Sequence, residues 1–142
     1  MKDLILKDEN FNKMMIKNIN ECINFLFEKG VEFGILSNLK FTEFNPALPE
    51  HITQNFKSEV ILFELANYTL QSAKIENNAL CFEAGFGEEN FPSTVSIPLF
   101  AIIQITLENM PILINFSIPD TEKMKREKSK NYIVEKNLLI NG

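Results

Sequence analysis

A chain of 142 residues with 45% apolar side chains has the length for one domain with a real core and little room for two. Its formal charge of −5 repels phosphate backbones, which argues against nucleic acid as a main partner. Two distant cysteines, Cys22 and Cys81, cannot make a disulfide framework and read as buried thiols of a reducing cytoplasm.

The first residues, Met1 to Asp8, hold only three consecutive apolar side chains and lack the apolar region of a signal peptide. No apolar run approaches the ~18 residues of a membrane span. The expected location is the cytoplasm, with no membrane partner. From about Asp8 to Lys29 the apolar spacing is helical. Asp8 or Asn10 can cap the start, and Gly30 suits the residue after the last turn. Phe11, Met14, Met15, Ile19, Cys22, Phe25 and Leu26 form one face, and Ile16, Ile23 and Phe27 form a second stripe beside it. Together they cover more than half of the circumference, wider than the apolar arc of an ordinary surface helix. Such a helix is either sunk deep in its own fold or covered by two neighbours, the body and a second subunit. The second case makes Ile16, Ile23 and Phe27 a homodimer interface.

After Gly30 the period changes to two. Val31, Phe33 and Ile35 alternate with polar or small residues, and Leu39 and Phe41 continue the strand after a break near Ser37-Asn38. Asn45 to Pro49 is a turn or extended stretch with two prolines. Glu59 to Leu65 is a clear strand. Gln71–Glu76 and Ala79–Phe86 read as a hairpin around Asn77-Asn78, a pair suited to positive φ. Gly87 to Pro92 is a loop, and Thr94 to Ile97 is a short strand. Leu99 to Leu107 is a buried strand, or a helical turn leading into one. Ile112 to Ile118 is the last strand. Thirteen phenylalanines and no tryptophan give this body bulk that needs no hydrogen-bond partner. The expected domain runs over 1–119, with helix 8–29 and β body 31–118, and a tail over 120–142. Residues 31–119 carry a net charge of −7 and residues 120–142 a net of +2. Asp120 to Lys130 is charged and aperiodic, as expected of a mobile linker. Two apolar clusters follow, Tyr132-Ile133-Val134 and Leu138-Leu139-Ile140.

No residue set fits catalysis. His51 is the single histidine, no cysteine pair has ligand spacing, and no nucleophile elbow surrounds a serine. Gly85-Phe86-Gly87 lacks the lysine and helix of a phosphate loop. Glu88-Glu89 fits a solvated loop. We expect a binding protein, not an enzyme, with no metal and no cofactor.

Five local matches over Leu48 to Ile105 are more specific: Leu48-Pro49-Glu50, Glu59 to Leu65, the run Leu80-Cys81-Phe82-Glu83-Ala84-Gly85-Phe86-Gly87, Thr94-Val95-Ser96-Ile97-Pro98-Leu99, and Ala101 to Ile105. Their order resembles the stringent starvation protein B (SspB) family, adaptors that bring tagged substrates to a Clp AAA+ protease. The chain departs from that pattern at Glu88, where the family has a second Gly, and at Met110-Pro111. Its last residues also lack the family's basic, Val-rich docking motif. The resemblance implies an α+β fold: an N-terminal helix, then a compact, partly open β-barrel-like (Sm-like) body of six or seven short strands, then a C-terminal tail. It also implies dimerisation through the helix.

A peptide adaptor needs a groove with alternating apolar pockets. Phe82, Ala84 and Phe86 share one face of a strand, Val95 and Ile97 share a face of the next, and Leu48 lies in the family's proline-bearing segment. These six are the candidate peptide-binding residues; the alternative is that they are core. Ala84 fits a groove better, since a small side chain lets another backbone approach. Leu138, Leu139 and Ile140 are the candidate protease-docking residues, unless the tail packs back on the body. The expected function is a non-catalytic adaptor that captures ssrA-like tagged peptide C-termini and delivers them to a ClpX-type unfoldase. An acidic, dimeric secretion chaperone is the alternative, and a small-ligand carrier lacks convergent polar groups.

Overall fold

The computed structural model describes residues 1–120. The candidate docking residues Leu138, Leu139 and Ile140, and the charged linker before them, lie outside the described residues.

A short helix, α1 (Lys2–Leu6), precedes the long helix α2 (Glu9–Lys29). Asp8 caps α2, its carboxylate accepting from Asn10 N at 2.7 Å and Phe11 N at 3.3 Å. Gly30 ends it with φ of +64°, a left-handed geometry that a side chain would strain. The periodic segment is therefore a helix with the expected limits. Ile19, Ile23 and Leu26 are buried, with Ile16, Cys22 and Phe27 packed at the core's margin.

The β body consists of β1 (Phe33–Asn38), β2 (Glu43–Asn45), β3 (Val60–Leu65), β4 (Lys74–Glu76), β5 (Ala79–Phe86), β6 (Phe91–Pro98), β7 (Ile102–Leu107) and β8 (Met110–Ile114). Two short helices, α3 (Glu50–Thr53) and α4 (Asn67–Ser72), interrupt it. The strands form two antiparallel four-stranded sheets, ordered β3-β1-β7-β8 and β2-β6-β5-β4. The hairpin at Asn77-Asn78 is as expected, with both residues at positive φ (53° and 59°), and Glu108-Asn109 turns β7 into β8 in the same way.

The expected barrel-like, Sm-like closure is not found. Among the described residues each sheet keeps two edge strands, and no strand pair joins one sheet to the other. Closure would need an edge strand of one sheet, β3 or β8, to pair with an edge of the other, β2 or β4, and among the described residues none does. A 3₁₀ turn at Leu39–Phe41 separates β1 from β2, and another at Leu99–Ala101 separates β6 from β7. The two turns pack on each other through Phe41 and Phe100, 5.2 Å apart and edge-to-face. Helix α2 lies against the Leu99–Ala101 turn. Between the sheets Phe63 of β3 meets Phe82 of β5 at 5.2 Å, and Phe44 of β2 meets Phe63 at 6.4 Å. The core thus lies between two open sheets and α2. Among the described residues no helix is long and apolar enough to cross a membrane.

Candidate functional site

The strand alternation that nominated a groove is real, but most of the nominated side chains point inward. Phe82, Val95 and Ile97 are core residues, each at most 2% exposed, and Leu48 is buried. Phe82, Val95 and Ile97 belong to the central core and cannot present a face to an open groove, and Leu48 keeps too little exposed surface to do so. Ala84 and Phe86 are half-buried and packed against the same core. Of the six, Phe82 and Ala84 also border a surface depression.

A similar correction holds for the helix. Ile23, expected to face a second subunit, has no exposed surface and sits at the centre of the core face. Ile16 and Phe27 flank it, half-buried; the Phe27 ring meets that of Phe33 at 5.8 Å, tilted by 54°. The second stripe is thus directed at the body. At 100° per residue, Met14 and Phe25 lie on the side of α2 opposite Ile23, and both are more than half exposed (57% and 55%).

The accessible site is on the other face of the same two strands. The register pairs Glu83 with Thr94, Gly85 with Pro92 and Cys81 with Ser96. It pairs Asn45 with Thr94 and Glu43 with Ser96 on the far side, and Lys74 with Cys81 on the near side. Since side chains alternate along a strand, this whole set shares the outer face of the sheet. Two adjoining depressions cover it. One, of about 420 Å³, is bounded by Asn45, Pro46, Gly85, Asn90 and Pro92. The other, of about 520 Å³, is bounded by Gln71, Ser72, Lys74 and Cys81. Both share Tyr68, Glu83 and Thr94, so they form a single trough with a waist.

Local sequence explains the trough. Its floor is built from the small residues Cys81, Gly85 and Thr94, with the Asn90 amide seated over Gly85. At Gly85 a Cβ would stand 1.8 Å from Asn90 Oδ1, so only glycine leaves the Asn90 side chain where it is. The waist is Tyr68, the second residue of α4, whose hydroxyl donates to Glu83 Oε2. The Glu83 carboxylate pushes the Tyr68 phenol up from its ordinary value by that hydrogen bond and by its charge. One rim is an incompletely paired strand edge. β4 ends its pairing at Cys81, and beyond it the Glu83 N–H is taken by Ser72 Oγ at 2.9 Å. The alternation turns the Gly85 N–H toward the same edge.

At one end, His51 Nε2 on α3 lies 2.6 Å from Glu89 Oε1 in the β5–β6 loop, beside Asn90. A backbone hydrogen bond within Glu89, then the His51 contact, hold the Glu89 carboxyl below its usual range. Elsewhere burial pushes the Cys22 thiol up, which disfavours the thiolate. Among the described residues no group of three or more His, Cys, Asp or Glu side chains is placed to hold a metal ion.

Sequence reasoning missed Tyr68, Glu83 and Thr94. The available signal was the polar half of the alternation: Glu83 sits between Phe82 and Ala84, Thr94 precedes Val95, and each must face away from its apolar neighbours. No family model matches the chain, and no curated protein matches it significantly.

Proposed function

We propose that the protein is a non-catalytic peptide-binding adaptor of the SspB type, which holds tagged substrates in the outer-face trough and delivers them to a ClpX-type unfoldase in the cytoplasm. The observation that carries this is the trough itself: an elongated depression over small side chains, with backbone groups of β5 at one rim. An extended peptide satisfies its backbone at such an edge and fits its side chains into alternate positions. The motif order described above supports the same reading. The outer side of α2, with Met14 and Phe25, is the surface we assign to a second copy of the chain.

The test is degradation of a fluorescent reporter carrying a C-terminal ssrA tag by a purified ClpX-type protease, with and without this protein. An adaptor raises the local concentration of substrate, so it should lower KM several-fold with kcat little changed. An unchanged KM over a range of adaptor concentrations contradicts the proposal.

A further inference from the structure

We propose that the trough selects an extended peptide carrying a basic side chain, which the Glu83 carboxylate receives at the waist. This rests on the peptide-adaptor reading and adds the charge of the ligand to it.

By register, the charged residues on the outer face of this sheet are Glu43, Glu76, Glu83 and Lys74. The one cation is already engaged, with Lys74 Nζ 3.1 Å from Glu76 Oε2. Among the described residues neither Glu43 nor Glu83 is in an ion pair. An acidic ligand would meet the uncompensated Glu83 carboxylate at the waist, with Glu43 adding negative charge to the same face. A neutral one would cover Glu83 without replacing the water it displaces, which is unfavourable for a charged group.

A basic side chain does replace it. An ionised carboxylate offers about four acceptor positions, and Tyr68 occupies one of them, at Oε2. The phenol therefore leaves Oε1 open while holding the carboxylate in a single orientation at the waist. A guanidinium or ammonium arriving along the trough finds a fixed, charged acceptor and makes a charge-assisted hydrogen bond. Glu83 is the acceptor in this scheme, and Tyr68 is a positioning residue.

Random decapeptides displayed on phage, selected on the full chain and on an unrelated control protein, test this directly. Selection on the native chain should enrich Lys or Arg at one peptide position about tenfold, the scale of one charge-assisted hydrogen bond. On the Glu83→Gln variant, which keeps an acceptor for Tyr68, peptides should still be selected but the basic preference should vanish. The Tyr68→Phe variant should keep the preference in weakened form. Neutral or acidic consensus peptides, or a basic preference that survives Glu83→Gln, would overturn the assignment of charge while leaving peptide binding intact. Failure to recover any peptide above the control would overturn both. Unchanged circular dichroism and melting temperature confirm that each variant is folded.

Discussion

Thr94 and Val95 are neighbours in the chain and belong to different surfaces. Val95 is fully buried between the sheets, while Thr94 lies on the trough floor beside Glu83. A period-two pattern states which residues share a face; it does not state what lies over that face. That is why Phe82, Val95 and Ile97 were legible as a set, while the pattern left groove and core both open. Substitution separates the two roles. Ile97→Ala should cost about 2–5 kcal/mol of stability, since it opens a cavity in a packed core. Thr94→Trp should change stability by no more than about 0.5 kcal/mol, because its ring projects into open space. It should abolish peptide binding in an anisotropy titration. A large loss of stability in the Thr94 variant, or undiminished binding, would remove this face from the site.

Element limits were most legible where a cap and a long period coincide. Asp8 and Gly30 bracket α2 as their chemistry requires, and Asp8→Ala should lower stability by about 1 kcal/mol in a denaturant titration. The wide apolar arc of the same helix was legible, but the direction of its parts was not. The body absorbs Ile16, Ile23 and Phe27, and the opposite side keeps Met14 and Phe25 exposed. Ile23→Glu should therefore unfold the protein. The Met14→Glu and Phe25→Glu double variant should melt like the native chain and run as a monomer in light scattering. A double variant that stays dimeric would place the interface elsewhere.

Shorter elements left little trace in the sequence. β2 has three residues and α3 four, too few for any period to show. α4 occupies part of a stretch expected as strand, held by Thr69, whose hydroxyl accepts the Ala66 N–H at 2.9 Å. α3 matters to the site through His51. The depressed Glu89 carboxyl contributes stability that is present above its unfolded value and is lost as pH falls through its folded value. Replacing His51 by Gln removes one cause of that depression. The Glu89 carboxyl should then titrate at higher pH by carbon-detected NMR, and an unmoved midpoint would mean that the His51 contact is not kept in solution.

At the scale of the whole molecule, resemblance and strand patterning supported an α+β body behind a helix, but with six or seven strands where eight stand among the described residues, the three-residue β2 and β4 being the hardest to read. Closure was not legible. Whether two sheets join depends on whether the edge strands β3 or β8 reach β2 or β4, and a period-two pattern names a strand's faces, not its neighbours. The sheets stay open, and the outer face of one of them carries the trough. The adaptor reading also assigns a role to the end of the chain. Removing residues 131–142 should leave peptide affinity and melting temperature unchanged while abolishing stimulated degradation. A loss of affinity or stability on truncation would contradict that role.

The central claim is that a peptide lies in the trough on the outer face of β5 and β6. Titrating isotope-labelled protein with an ssrA-tag peptide and following backbone amide shifts tests it most directly. The account predicts saturable shifts concentrated at Tyr68, Glu83, Gly85, Asn90 and Thr94, with the amides of α2 and β8 unmoved. Shifts centred on α2 or β8, or none at millimolar peptide, would contradict it.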